Sequence, residues 1–447
     1  MQEGSLQAPI RHIIDWESDA FYDESALDKE LRRVFDICHG CRRCFNLCDS
    51  FPTLFDLIDA TPLGECDEVK SEDFAHVADA CTLCDLCFVN KCPYVPPHQF
   101  DVDFPHLMLR YRATQAKTQG ISFVDKQISK TDQVGPISVK MAPVVNWATA
   151  TSNKPVRKAL EVVTGIDAKA NLPTYANKTL CQQVEQTPCP VNVYGPAYGQ
   201  KAVLFATCFG NYNNPAIGLA ARKVLAHQGV DVEVVYPGCC GMPLLEKGDL
   251  QAVADQAVKI SAALAPYVEK NIPIISIIPS CSLMLKSEWP LLLPKNKLVQ
   301  RLSKQVMDIS EYVIHLHKKH TLTQGLESLE NKAVTLHLAC HSRAQNIGAK
   351  AAEMLRLIPN LTVQIIERCS GHGGTWGMMK AHFEIALKVG KPAAKQALTY
   401  DNPLVLSECP LAAKHILQGM NLQTNASQSA YSTMHPIELL AKSYRIS

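Results

Sequence analysis

Two runs of cysteine constrain this chain more than any other feature. ICHGCRRCFNLCDS carries Cys38, Cys41, Cys44 and Cys48, and CTLCDLCFVNKCP carries Cys81, Cys84, Cys87 and Cys92. Three thiolates at intervals of three residues can converge on three irons of one cube, because a short turn brings them around a common point. In proteins with two such clusters the fourth cysteine of each run ligates the other one. The spacing therefore suggests one [4Fe-4S] cluster on Cys38, Cys41, Cys44 and Cys92, and a second on Cys81, Cys84, Cys87 and Cys48. Asp49 stands where a proline usually follows, and four residues rather than three separate Cys87 from Cys92; each change alters a turn without removing a ligand. Zinc favours pairs of CxxC separated by a loop, which a repeated triple with a fourth cysteine fits poorly. Cys66, in LGECDEVK, has no partner pattern and reads as structural. FPTLFDLIDA and HVADA read as helices that hold the two runs together.

The rest of the composition is that of a globular chain. With 447 residues, it has length for about three domains and needs no metal merely to supply a core. The 44 basic and 43 acidic residues leave a formal charge of +1, which gives no reason to expect nucleic acid or a polybasic membrane surface. The opening MQEGSLQAPIRHIIDWESDA lacks the apolar stretch of a signal peptide, and no segment reaches the length of a transmembrane helix. Eighteen cysteines in a reducing cytoplasm point to metal ligation rather than disulfides. Cys181 and Cys189 match no pattern and read as bystanders.

From residue 101 to 200 the chain reads as a linker and helical connection. HLMLRYRATQAKT and VRKALEVVTGI are predicted helices, the second with Val156, Leu160 and Val163 on a helical spacing. Packing against a domain is preferred for both over lying on a membrane surface. PLLLPKNKLVQRLSKQVMDISEYVIHLHKK further on also has helical spacing.

The remaining chain contains a duplication. KAVLFATC, VDVEVVYPGCC and IPIISIIPSC are strands ending at Cys208, at Cys239 and Cys240, and at Cys281, with helices between them. AVTLHLAC, LTVQIIERC and PLVLSEC repeat the arrangement, ending at Cys340, Cys369 and Cys409. Intervals of 31 and 42 residues in the first copy become 29 and 40 in the second, and counterparts are displaced by 128 to 132 residues. Alternating strands and helices predict parallel α/β layers, which collect ligands beyond the carboxyl ends of their strands. Cys208, Cys239, Cys240 and Cys281 are thus candidates for a redox or metal site, as are Cys340, Cys369 and Cys409. Gly371, Gly373 and Gly374 let backbone amides approach sulfide or an anion. Around the second site His341, His372, Ser370 and Arg368 are candidates for tuning a bound group from outside its ligands, with Arg368 also free to attract an anion or pair with Glu367 or Glu408. His337 reads as packing. No Gly-rich dinucleotide fingerprint follows a strand, so flavin or nicotinamide chemistry is assigned to another subunit.

ATCFGNYNNPAIG, PGCCGMP and PSCSLMLKSEWP, then LACHSRAQNIG, ERCSGHGGTWG and SECPLAAKHI, with HPIELLA at the end, resemble the iron-sulfur subunit of anaerobic glycerol-3-phosphate dehydrogenase. Lactate-utilisation and glycolate oxidase iron-sulfur proteins, and the two smaller subunits of heterodisulfide reductase fused together, are similar. The resemblance covers about residues 30–100 and 200–445. It implies an α+β and α/β chain: a largely helical two-cluster ferredoxin-like domain (1–100), the connection (101–200), and two parallel α/β cysteine-rich CCG domains (201–325 and 326–447). The family pattern is a lone cysteine, a double cysteine and CxxC. Met284 takes the last position in the first copy; Ser370 and Ala412 replace cysteines in the second. These losses weigh against the disulfide cleavage that complete domains carry out on noncubane clusters, most at the second copy. Ser370 marks either a smaller or differently ligated cluster or a domain retained for structure.

The expected role is an electron-transfer component with two [4Fe-4S] clusters, a further cluster in the first CCG domain and an undecided site in the second. FAD belongs to a partner dehydrogenase or reductase subunit, and a quinone or membrane protein is the candidate acceptor. The expected location is cytoplasmic, with attachment to the inner face of the membrane through protein contacts. Two rivals are a thiol/disulfide reductase using Cys208, Cys239, Cys240 and Cys281, and a redox-responsive scaffold.

Overall fold

A computed structural model describes residues 9–424 and 430–446; residues 1–8 of the opening stretch lie outside it. The amino-terminal region is helical. Asp23 accepts the Ala26 N–H at 2.7 Å and starts α1 (Glu24–Cys41), an N-cap that satisfies one of the donors a helix start leaves free. Leu27, Leu31, Val34 and Phe35 then line one buried face, on the spacing expected of a helix packing against a core. That face meets α2 (Ser50–Asp59) and α4 (Phe104–Gln119), with α3 (Phe74–Ala80) closing the group. The first cysteine run begins in the last turn of α1 and ends just before α2, and the second follows α3, so the two helices the sequence suggested, α2 and α3, lie between the runs.

A series of shorter helices follows: α5 (Phe123–Ser129), α6 (Thr131–Lys140), α7 (Ala142–Thr149), α8 (Lys154–Thr164) and α9 (Leu180–Gln186). The core-packing expectation holds for α4, which buries Leu107, Met108 and Leu109. It fails for α8, where Arg157 is the one buried residue while Val162 and Val163 are exposed. The helical period was right, but Val156 and Leu160 are only half-buried and Val163 faces solvent.

Two parallel sheets carry the repeats. In the first, β1 (Lys201–Phe205), β2 (Asp231–Val235), β3 (Ile274–Ser276) and β4 (Val306–Asp308) lie in the order β2-β1-β3-β4. In the second, β5 (Ala333–His337), β6 (Thr362–Ile366), β7 (Leu404–Ser407) and β8 (Ser432–Met434) repeat that order as β6-β5-β7-β8. Short apolar runs such as Val203–Leu204–Phe205 are buried throughout, as strands covered on both faces require. The fourth strands went unread: Val306–Asp308 sits inside a stretch read as helical, without the longer apolar run that marks Ile274–Ser276.

Between β1 and β4 run α10 (Cys208–Tyr212), α11 (Pro215–His227), α12 (Met242–Leu245), α13 (Leu250–Glu269), α14 (Pro279–Leu283), α15 (Trp289–Leu292) and α16 (Lys297–Ser303), with α17 (Ile309–His320) after β4. The second repeat has α18 (Cys340–Ala344), α19 (Lys350–Leu355), α20 (Phe383–Tyr400), α21 (Pro410–Thr424) and, after β8, α22 (Pro436–Ser443). The helix after each fourth strand packs on the other repeat: α17 on α19, and α22 on α11. This reciprocal exchange joins the sheets as a pseudo-symmetric pair. A tilted ring contact of His227 with Tyr444, 4.6 Å between centroids, joins α11 to the residue after α22.

Candidate metal centres

Apart from Cys181 and Cys189, the cysteines gather in two regions, the helical amino-terminal part and the two repeats. In the helical region burial, and then the charges of Cys92, Cys44 and Cys41, push the Cys38 thiol well up. Burial followed by Cys84, Cys81 and Cys48 does the same to Cys87. The structure thus brings Cys92 to the first run and Cys48 to the second, with Cys44 also felt at Cys87. Thiols this crowded and buried are costly to ionise unless a cation compensates them. Among the described residues no three His, Cys, Asp or Glu side chains converge tightly enough to hold a single ion. The donor set, two groups of four thiols spread around a common space, fits a multi-iron cluster better than one zinc.

In the first repeat the cysteines meet just beyond the strand ends. Cys208 Sγ and Cys239 Sγ lie 3.8 Å apart, and contact with Cys208 and then Cys240 draws the Cys239 thiol well down. Cys240 is raised by Cys239 and Cys281. The Gly241 N–H donates to Cys239 Sγ at 3.5 Å, made possible by a left-handed φ of 87° at Gly241. The Trp289 Nε1–H, fully buried, donates to the Cys240 carbonyl at 3.0 Å.

Residues of the connecting segment complete this site. Asp132 at the start of α6 accepts the Cys239 N–H at 2.9 Å, the Tyr236 hydroxyl and the Gln256 Nε2–H at 3.3 Å. Thr131 Oγ1 is buried without a nitrogen or oxygen partner and acts on the Cys208 and Cys239 thiols. A cavity of about 440 Å³, lined by Thr131, Asp132, Gln256 and Cys239, opens here. Neither Thr131 nor Asp132 was identified from the sequence, since nothing local links residue 132 to a loop more than a hundred positions away.

The second site repeats the local geometry with different neighbours. The Gly371 N–H donates to Cys369 Sγ at 3.3 Å, with φ 78° at Gly371. Burial, then Cys84, Cys369 and Cys409, raise the Cys340 thiol, and burial followed by Cys369 pushes Cys84 up to about 12. This trio therefore faces the second cysteine run, while Cys281 reaches it from the first repeat and is felt at Cys409. The four groups form one series: the first run's thiols, the second run's, the second repeat's, then the first repeat's.

The polar candidates divide. Ser370 is buried and its Oγ accepts the His372 N–H at 3.4 Å, a local turn. The His341 Nε2 lies 3.4 Å from the Leu83 carbonyl between Cys81 and Cys84, so this ring ties the second site to the cysteine run. His372 is buried against His415 at 6.0 Å and held neutral, its pKa lowered to about 3 by burial and then His415. The His337 Nε2 donates to the Arg368 carbonyl and its Nδ1 accepts from Ser407, both at 3.0 Å, in keeping with packing. Arg368 itself is exposed and forms no ion pair among the described residues. Arg343 pairs with Glu367 instead, at 3.6 Å; burial raises the Cys369 thiol, and the Gly371 N–H and then the Arg343 charge offset part of that rise.

A buried charge knot locks these parts together. Arg11 pairs with Asp85 and Asp103, each at 2.8 Å, and with Glu288 at 3.3 Å, while His106 meets Glu288 at 3.0 Å. The knot joins the loop of the second cysteine run to α4 and the first repeat. Arg112 of α4 adds bonds to the Ala78, Cys81 and Glu246 carbonyls.

Comparison with known proteins agrees with this arrangement. The cysteine-rich CCG domain family matches residues 202–286 and again 334–412, one match on each sheet. A subunit of the anaerobic glycerol-3-phosphate dehydrogenase of Escherichia coli (strain K12) is 30% identical over 348 residues, covering 76% of this chain and 82% of that one. The chain belongs to the family of that dehydrogenase subunit. A subunit of the dihydromethanophenazine:CoB–CoM heterodisulfide reductase of Methanosarcina acetivorans is 26% identical over 48% of this chain and 53% of its own. Lactate utilization protein A of Bacillus pumilus is 26% identical over 40% and 75%. By name, the first two are subunits of a dehydrogenase and of a reductase, and the third a utilisation protein. No helix among the described residues is long and apolar enough to cross a membrane.

Proposed function

We propose that this member of the glycerol-3-phosphate dehydrogenase subunit family relays electrons between a flavoprotein dehydrogenase or reductase subunit and an acceptor. Cys38, Cys41, Cys44 and Cys92 would hold one [4Fe-4S] cluster, and Cys81, Cys84, Cys87 and Cys48 a second. Cys208, Cys239, Cys240 and Cys281 would hold a further iron-sulfur cluster; Cys340, Cys369 and Cys409, beside Ser370, are a three-thiol site of changed ligation. Such clusters, when bound, supply one-electron storage. The observation that carries the reading is the series in which neighbouring groups share electrostatic contact, from Cys44 and Cys87 through Cys84 and Cys340 to Cys409 and Cys281. Its order supports entry at the cysteine runs and exit at the first repeat, the end that opens to a cavity. FAD is assigned to the partner subunit, a quinone or membrane protein to the acceptor, and a cytoplasmic position on the inner face of the membrane to the complex.

The test is iron and acid-labile sulfide per chain after anaerobic purification, with electron paramagnetic resonance during stepwise reduction. About eight irons in ferredoxin-type signals alone would leave the repeats without clusters and sink their part in the relay. A further signal lost in Cys239→Ser, with the first two retained, is the expected result.

The cavity beside Cys239 favours one second reading, a thiol/disulfide reductase working at the first repeat. Turnover of a disulfide by the isolated chain, with no flavoprotein present, would favour it over the relay.

A further inference from the structure

Cys208 and Cys239 bring their sulfurs within 3.8 Å, a contact distance, and both residues are held by their backbones. Cys208 opens α10 directly after Thr207, a residue at a left-handed φ of 56° whose hydroxyl accepts the Gly210 N–H at 3.0 Å. Cys239 is fixed by its N–H to Asp132 and by the Gly241 N–H on its sulfur. A disulfide sets its sulfurs about 2.0 Å apart, a gap that rotation of the two side chains can close. Access is one-sided: of the four thiols, Cys239 is the one that lines the cavity of about 440 Å³ beside α6, where a molecule little larger than water has ample room.

The other pairings are weaker. Cys239 and Cys240 adjoin in the chain, and Cα atoms about 3.8 Å apart across one peptide stand closer than the roughly 4.4–6.8 Å of a disulfide. Cys240 also touches Cys281, but both are buried away from the cavity wall. Among the described residues no sulfur contact joins their second-repeat counterparts Cys340 and Cys369, which meet through charge alone. A thiol that solvent reaches, beside a second thiol that can resolve it, is the arrangement that oxidises reversibly.

We propose that Cys239 and Cys208 are an oxidation-sensitive pair, which a hydroperoxide entering the cavity converts to a disulfide when the first repeat carries no iron. With hydrogen peroxide, the Cys239 thiol first takes up one oxygen atom, leaving a sulfenic acid and a water molecule. The Cys208 sulfur then attacks the Cys239 sulfur: the S–S bond forms, the S–O bond breaks, and hydroxide leaves with the Cys208 proton as a second water. The two thiols give up two electrons and two protons, and the peroxide is reduced. A dithiol reverses the bond by exchange. The disulfide keeps Cys239 from climbing to the irreversible sulfinic acid and withholds two of the four donors, so the first repeat stays closed to a cluster until it is reduced. Only this last consequence rests on the relay reading.

The experiment maps the thiols of the full chain, purified without oxygen, freed of iron by chelation and given limiting hydrogen peroxide. After alkylation and trypsin digestion without reductant, the earliest cross-link within the repeats should join residues 202–222 to residues 224–247. Dithiothreitol should return both peptides to a form that alkylates. The cross-link should be lost in Cys239→Ser and kept in Cys240→Ser. Should either variant fail to fold, fragmentation of the unsubstituted cross-linked peptide between Cys239 and Cys240 assigns the sulfur. Assignment of the bond to Cys240, a first cross-link to Cys281 instead of Cys208, a cross-link to Cys208 that survives Cys239→Ser, or Cys239 driven to sulfinic acid while Cys208 stays free would overturn the inference. Mapping reads no iron signal, so its failure leaves the relay reading standing, and a chain whose repeats hold no cluster would still form the bond.

Discussion

Asp132 accepts the backbone N–H of Cys239 at 2.9 Å across 107 residues of chain. One carboxylate thereby ties the connecting helix α6 to the loop that carries two of the first repeat's thiols. It also accepts from Tyr236 and Gln256, so three donors depend on it.

Asp132→Ala should strand those donors. Each buried group left without its partner costs about 1–3 kcal/mol, and a fall in thermal midpoint is expected. The change should disturb the first repeat's resonance signal and spare the signals of the two cysteine runs. Thr131→Val, which keeps the shape but removes the hydroxyl facing Cys208 and Cys239, should shift the midpoint potential of that same signal with little loss of stability.

Arg11→Leu should be severe. Asp85, Asp103 and Glu288 would remain buried around an uncharged side chain, and removing one partner from a buried ion network costs roughly 3–5 kcal/mol. Denaturant unfolding measures this directly. An unchanged midpoint would mean that water or rearrangement replaces the guanidinium.

Acid should destabilise the fold in two stages. Burial lowers the His435 pKa to about 3, so its neutral form is favoured in the native state, and the stability it contributes is lost as pH falls from about 6.5 towards 3. Burial tends to raise Asp103, but Arg11 and His106 outweigh it and hold the carboxyl at about 2; its contribution is lost between about pH 4 and 2. His435→Asn should shrink the first stage, which His372 shares, and Arg11→Leu the second, in melting curves taken across this range.

Ser370→Cys restores the paired thiol of the second repeat at nearly constant volume in a buried position. Iron content per chain should rise, with a signal that disappears on Cys369→Ser. No gain in iron would mean that the three thiols Cys340, Cys369 and Cys409 are not limited by the missing sulfur. Gly371→Ala should instead lower stability by on the order of 3 kcal/mol, because its Cβ would run into the Ala386 carbonyl oxygen at a φ of 78°.

The chemistry of this protein was legible wherever it depends on spacing along the chain. Cysteines three residues apart must turn around a common point, and two sets of strand-terminal cysteines displaced by 128 to 132 residues declare a duplication. Strand and helix periods likewise put those cysteines beyond the carboxyl ends of parallel strands. The short strand β4 was lost because Val306–Asp308 lies inside a stretch with helical spacing, and Arg368 was named while Arg343 went unnamed because adjacency in sequence says nothing about where a long side chain points.

Tertiary structure alone decided the order of the sites, the partners of each and what covers them. The second repeat faces Cys84 while the first is closed by Thr131 and Asp132, although the two repeats share their local geometry at Gly241 and Gly371. Local spacing determines which donors gather, because it acts through a few backbone dihedrals. Which groups become neighbours depends on burying helices from distant parts of the chain against one another, and that is a property of the whole packed molecule.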